Sequence, residues 1–417
     1  MSARRRTRGP PSGRPRQVEQ SAESESGGEE TAEPVSVKKS PPGLWRTLRG
    51  SLKYMLLLII VPPFMNYAAL QKEHQELQPP DGELYDVGWG RKMFLMCKGK
   101  GPPTVVMDAP TGMTSDVWAL VWPKIAKHTR VCIYDRAGLG FSERPSPRNA
   151  SAPPGEEVDS DFSEDSDFSG HSDFSGPRGQ PFTAESMVDD LHQLITSSSQ
   201  QPKPFIFVGA ELGAVVSQFY TLLFDSNVLG LVLLNPLPET LFESDQQHWS
   251  QYWFGQLVPT YQSLQLGAAL GLTRVGLLLG VLKQPLTAAP LNETVVNRQK
   301  YLLCQPRHLS SVVDEHFFIN ETFSQMGTVR MLRSLPSNVS VTVMTGNYYD
   351  EQLPSSLNKA WAKAQQDLIT RSFPKAQHIV VNGADRNMPL TAPDAVVEQV
   401  LKIVRHWRLK QAPSAPK

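Results

Sequence analysis

The chain has 417 residues, 40% of them hydrophobic, and its 41 basic residues balance 41 acidic ones. That length accommodates one large domain with appendages, and the balanced charge gives no footprint for a nucleic-acid partner. Cys97, Cys132 and Cys304 supply neither a disulfide framework nor metal-ligand spacing. No metal or other cofactor is called for. Cys97 and Cys132 are expected on neighbouring strands as small buried hydrophobes.

Residues 1–42 open with Arg4, Arg5, Arg6, Arg8, Arg14 and Arg16, and turn acidic and Ser/Gly-rich between Glu19 and Glu33. Such a stretch cannot bury enough apolar surface to offset its ordering entropy, so it is read as a disordered, solvated tail. A nuclear-localisation or membrane-surface role for the arginines is the alternative.

Residues 52–70 are the most hydrophobic run, and the polar stretch ahead of them rules out a cleavable signal. A span needs ~20 mainly apolar residues, which this run barely meets. Pro62 and Pro63 are expected to break the helix midway unless the freed backbone groups find partners. The reading is a kinked single-pass membrane anchor (a signal-anchor), with an interfacial or re-entrant segment as the alternative. Arg46, Arg49 and Lys53 crowd the N-terminal flank, which puts the N-terminus in the cytosol and the following domain in the lumen or outside the cell. That places the protein in an endomembrane or at the cell surface. Sequons at Asn149, Asn292, Asn320 and Asn338 agree with a glycoprotein.

From residue 104 the chain alternates strands and helices. Residues 104–107 and 131–134 are short apolar strands, with a helix from Ser115 between them; the second strand runs into Asp135-Arg136-Ala137-Gly138-Leu139-Gly140-Phe141-Ser142. An insertion at 146–179 repeats Ser-Asp-Phe-Ser three times, from Ser160, Ser166 and Ser172, and reads as a disordered acidic loop or a docking motif for protein partners. Residues 205–214 are a buried strand, a small-residue elbow and a helix start. Residues 236–336 form a second, helical insertion with Trp249, Tyr252, Trp253, Phe254 and Tyr261. Within it the apolar stretch 264–282 is interrupted by Arg274, which at ~3 kcal/mol or more argues against a second span. A cap helix packed on the core, touching a bilayer as an option, fits better. His248, His308 and His316 are scattered there and are read as structural. His378 opens a last strand, pointing inward, before Ala384-Asp385-Arg386 and a final helix. The alternation predicts an α/β protein: a mostly parallel sheet flanked by helices, with the elbow at the strands' carboxyl ends.

Together these segments, over about residues 82–408, resemble the α/β-hydrolase superfamily, in particular a branch with a "YDRAGxGxS" strand and turn. The resemblance implies a nucleophile elbow reading G-x-S-x-G, which here is Gly209-Ala210-Glu211-Leu212-Gly213. It implies a histidine where Arg386 stands, a triad acid near Asp350 or Glu351, and an oxyanion hole from the backbone N–H of Leu212 and of Thr111, since Pro110 has none. A serine needs an adjacent base, and arginine accepts no proton. The implied protein is a pseudo-enzyme acting as a binding or scaffolding module, with a membrane and a lipid or small-molecule ligand as partners. Three alternatives stand: an active serine-type ester or lipid hydrolase with an atypical site, carboxylate chemistry at Glu211, or a small-molecule receptor. Glu211, at a helix N-terminus, suits a negative charge and is expected to pair with Arg386, unless Arg386 faces solvent.

Overall fold

The computed structural model describes residues 43–88, 91–145, 182–198, 201–243, 247–286, 290–347, 349–350 and 353–411. The tail 1–42, the repeat insertion with Asn149, and Glu351 lie outside them. The chain divides into two compact units, residues 1–54 and 55–417. In the first, the described residues from Gly43 onward are helical.

The second unit is built on an eight-stranded sheet in the order β1-β2-β4-β3-β5-β6-β7-β8. Its strands are β1 (Gly82–Asp86), β2 (Lys92–Lys98), β3 (Thr104–Asp108), β4 (Val131–Tyr134), β5 (Phe205–Ala210), β6 (Val228–Leu234), β7 (Ser340–Gly346) and β8 (Gln377–Val381). The β1–β2 and β2–β4 pairs are antiparallel, and every other pair is parallel. Every residue of β3, β4 and β5 is buried. Helices must therefore cover both faces, which is why these strands read as continuous apolar runs rather than alternating ones.

The helices are α1 (Gly43–Leu77), α2 (Trp122–Ala126), α3 (Ala184–Ser197) and α4 (Leu212–Leu223); then α5 (Gln247–Tyr252), α6 (Val258–Ala269), α7 (Leu272–Leu278), α8 (Glu293–Leu303), α9 (Pro306–Phe317) and α10 (Ile319–Leu332) between β6 and β7; and finally α11 (Ser355–Ser372), α12 (Met388–Thr391) and α13 (Pro393–Gln411). Two apolar layers result. Leu191, Leu194, Phe207, Val215 and Phe219 belong to one, with α3 and α4; Ile125, Ile206, Val396 and Val400 belong to the other, with α2 and α13.

Three expectations are corrected. The helix α1 runs unbroken through Pro62 and Pro63. Two N–H donors are lost, but the following turn is held from outside: Asn66, 3% exposed, donates from Nδ2 to the carbonyls of Ala268 at 2.9 Å and Cys304 at 3.1 Å. These bonds fix the turn that follows the prolines to the cap. Cys97 and Cys132 are joined in a disulfide, not packed as free thiols. They are direct partners across the antiparallel β2–β4 pair, where facing Cβ atoms come within bonding reach. His378 is exposed rather than inward, because β8 is the edge strand; its Nε2 lies 2.9 Å from the Thr345 hydroxyl.

The helix from Arg49 to Leu77 is long and apolar enough to cross a membrane by length and composition, with a mean hydropathy of 1.4 in its most apolar window.

Candidate functional site

The site begins at the carboxyl end of β5. Gly209 and Gly213 are dictated by space: a Cβ on Gly209 would lie 2.2 Å from the Gly213 carbonyl oxygen, and one on Gly213 would lie 2.5 Å from that of Asp108. Between them Glu211 has φ +48° and ψ −110°, a conformation that a non-glycine residue adopts only where its surroundings enforce it. The enforcement is a backbone clamp. Glu211 N–H donates to the Leu234 carbonyl at 3.0 Å, and its carbonyl accepts from Ala214 N–H at 3.1 Å. The side chain is thereby presented at the start of α4.

Arg386, in the loop between β8 and α12, reaches across to it. Its Nε and Nη2 donate to the same carboxylate oxygen, Glu211 Oε1, at 3.2 and 3.1 Å. The two side chains are 10% and 26% exposed, so this is a half-buried pair rather than a surface one. The guanidinium lies 4.7 Å from the centre of the Trp361 ring on α11 and 5.8 Å from that of Trp249 on α5. Burial pulls the Arg386 pKa down, but Glu211 outweighs it, with Tyr252 and Asp350 acting in the same sense, so the net direction is up. This group stays charged. Asp350 is thus close enough to act on Arg386, while its own backbone N–H and carbonyl are tied to Asn358.

Cap residues close the same region. Tyr261 is pushed up to about 12, first by burial and then by the negative charge of Glu211. Its ring stands 4.6 Å from that of His316, which also faces Trp253 at 5.0 Å. His316 borders this site. It packs against the 108–112 turn, where a Cβ on Gly112 would lie 2.9 Å from the His316 ring. Its Nδ1 is 2.7 Å from the Val312 carbonyl, so Nδ1 carries the hydrogen and Nε2 is the acceptor. Burial draws its pKa down to about 4, leaving it neutral near pH 7. No hydrogen bond joins it to Glu211.

Beneath that turn lies a second charged cluster. Arg136, from the turn after β4, is 3% exposed and donates to Asp108, to the carbonyls of Ala109 and Pro110, and to both carboxylate oxygens of Glu315 on α9. Glu315 also accepts Gly112 N–H at 2.7 Å. The turn is therefore braced from sheet and cap alike. Thr111 is 6% exposed, and its hydroxyl is unpartnered among the described residues. Asp135 stitches the neighbouring turn by accepting from Ser115 N–H at 2.8 Å and Phe141 N–H at 3.2 Å. Ser142 is fully engaged: its Oγ donates to the Asp135 carbonyl and accepts from Phe94 N–H.

Chemically, then, the elbow carries a carboxylate already committed to a guanidinium, and the residue facing it cannot take a proton. Of the sequon residues, Asn292 caps α8 by accepting from Thr294 N–H at 3.2 Å, and Asn292, Asn320 and Asn338 are all exposed. The contributions of Trp361, Tyr261 and Glu315 had no signal in spacing, since each depends on how the cap and α11 fold over the elbow. The one local hint was Arg136 in its Gly-rich turn.

This architecture is the α/β-hydrolase fold. The family model for that fold matches residues 109–290. Among solved structures, the chain is similar to the epoxide hydrolase CorEH without ligand, at 14% identity and TM-score 0.52 over 78% of this chain and 99% of that one. Cfl2 wild-type from Burkholderia cenocepacia matches at 15% identity and TM-score 0.52, over 77% and 94%. ALR0039 from Nostoc sp PCC 7120 matches at 15% and 0.53, over 78% and 98%. A curated relative, the uncharacterized protein YbdG of Bacillus subtilis (strain 168), is 29% identical over 105 residues, which span 24% of this chain and 32% of that protein. The match thus covers about a third of the relative's length.

Proposed function

We propose that this chain is a membrane-anchored α/β-hydrolase-like pseudo-enzyme that acts as a binding or scaffolding module. The observation that carries this reading is the bond from Arg386 to Glu211 at 3.1 Å. It places a permanent cation where a base is needed and ties down the only side chain the elbow presents. A serine or carboxylate nucleophile without a base completes no hydrolytic cycle. The indole rings of Trp249 and Trp361 stack on the same guanidinium, which holds the pair rather than leaving it free to act. The partly exposed rings of Tyr252 and Tyr261 beside the pair suit an apolar or lipid ligand.

The anchor reading draws on α1, whose side chains at Met55, Leu56, Leu57, Ile59, Ile60 and Val61 are exposed all round the helix, as lipid requires and water does not. A lumenal or extracellular domain is supported by the Cys97–Cys132 disulfide, which persists in oxidising compartments, and by exposed sequons at Asn292, Asn320 and Asn338.

The test is a fluorophosphonate probe, together with ester turnover, on the membrane-extracted full chain. No labelling and no turnover are expected. Turnover that survives Glu211→Ala would overturn the reading in favour of a hydrolase with other residues.

A further inference from the structure

We propose that the cap hairpin of α6 and α7, residues 266–281, is immersed in the hydrocarbon of the leaflet through which α1 emerges towards the folded domain, so that the bilayer is its packing partner. This rests on the anchor reading of α1 and adds a second membrane-embedded element to it.

Leu266, Leu270, Leu272, Leu278, Leu279 and Val281 are exposed large apolar residues within one hairpin, with Leu278 at 79% and Leu279 at 73%. A patch of this kind on a single surface marks an interface. The structure also says what lies beside it. Gly271, with φ +72°, sits where any Cβ would be 2.3 Å from the Pro62 carbonyl oxygen, so α1 and the hairpin touch backbone to backbone. Asn66 bonds the Ala268 carbonyl, and its Oδ1 accepts from Arg274 Nε at 2.8 Å. Arg274 closes on both oxygens of Glu73 at 2.6 Å. Hairpin and helix are thus one rigid piece from Pro62 to Glu73.

Length then decides the level of the membrane. Ahead of that contact the exposed apolar residues Met55, Leu56, Leu57, Ile59, Ile60 and Val61 reach back only to Met55, and Lys53 stands two residues before it. Seven residues of helix span about 10 Å, whereas a hydrocarbon core of ~30 Å needs ~20 apolar residues. Crossing therefore requires the stretch 62–70 to lie in lipid as well, and its outward side chains agree: Phe64, Met65 and Tyr67 are all exposed. Because the hairpin is bonded to that stretch, it enters with it. Arg274 is tolerated there because Glu73 and Asn66 satisfy it, as intramembrane charges demand. A cleft of about 320 Å³ beside the pair is lined by Glu73, Glu76, Arg274 and Lys300 together with Leu277 and Leu278.

The experiment places an environment-sensitive fluorophore on single cysteines, Leu57→Cys, Leu279→Cys and Lys402→Cys, in the full chain reconstituted into phosphatidylcholine vesicles. The wild type, whose free Cys304 is buried, supplies the blank. Quenching by nitroxide on the acyl chains is expected to be several-fold stronger at 57 and 279 than at 402, with aqueous iodide showing the reverse order. Lipid quenching at 57 with iodide quenching at 279 would leave the anchor standing and overturn the hairpin's immersion. Protection of 279 from both quenchers would assign the patch to a second copy of the chain and likewise overturn it. Iodide quenching at 57 would remove the anchor reading and this inference together.

Discussion

Removing either partner of the Glu211–Arg386 pair leaves the other charged and largely out of water. Two unit charges about 4 Å apart attract by ~4 kcal/mol at an effective dielectric near 20. Breaking a fully buried pair costs ~3–5 kcal/mol, while exposed pairs contribute ~0–1 kcal/mol. With side chains 10% and 26% exposed, this pair lies nearer the buried limit, since solvent reaches little of the carboxylate. Glu211→Ala is therefore expected to destabilise by about 2–3 kcal/mol. Arg386→Ala loses about 1 kcal/mol more, because its stacking on Trp361 goes too. Over the roughly 360 residues of the second unit, such losses lower Tm by about 3–5 °C. The double alanine variant strands no charge and should recover about 1–2 kcal/mol relative to the sum of the single losses. Urea unfolding in detergent, with an unchanged m value, measures the cycle. Losses that add to within about 0.5 kcal/mol would show that the pair does not couple, and the reason given for an inert elbow would fall with it.

Further outcomes concern protons, thiols, sugars and the triad positions. His308 accepts Gly140 N–H at 3.2 Å, and burial lowers its pKa to about 4. The unfolded chain thus binds that proton first, and stability should fall as pH drops from about 6.5 towards 4. Asp135, raised to about 6 by burial, acts in the opposite sense over the same range, so the comparison is with His308→Gln, whose unfolding free energy should lose about one proton of pH dependence; identical slopes would contradict the assignment. Alkylation of denatured, unreduced protein should modify Cys304 alone, with Cys97 and Cys132 joining only after reduction, as intact mass reads directly. Glycosidase should shift the mobility of protein from membranes, and cytosolic-side protease cleavage of an unglycosylated domain would reverse the topology. Glu211→Ser alone should stay unreactive to fluorophosphonate, whereas Glu211→Ser with Arg386→His should gain labelling; labelling of the single variant would reveal a base other than residue 386.

The elbow was legible because its glycines obey backbone space. Gly209 and Gly213 are forced by contacts under 3 Å to neighbouring main chain, and such constraints leave a local spacing in the sequence. The strands β3, β4 and β5 were legible for a similar reason, as short runs apolar on both faces. The meeting of Glu211 and Arg386 required only that two loops end at the same sheet edge. What was not legible depended on packing between distant segments. Nothing local tells that Trp361 lies under Arg386, that His316 borders the 108–112 turn, or that Asn66 ties α1 to the cap. The disulfide was missed because cysteine counting ignores register, and only the pairing of β2 with β4 sets Cys97 opposite Cys132.

The clamp of Arg136 on Glu315 makes the cap a latched cover and not a swinging one. Swinging α9 outward would carry Glu315 away and leave the guanidinium with Asp108 and the carbonyls of Ala109 and Pro110, in a place water does not reach. At ~3–5 kcal/mol for such a break, the open form makes up about one molecule in a thousand. Anything that enters beneath α9 by that route exchanges slowly, on the schedule of a rare opening.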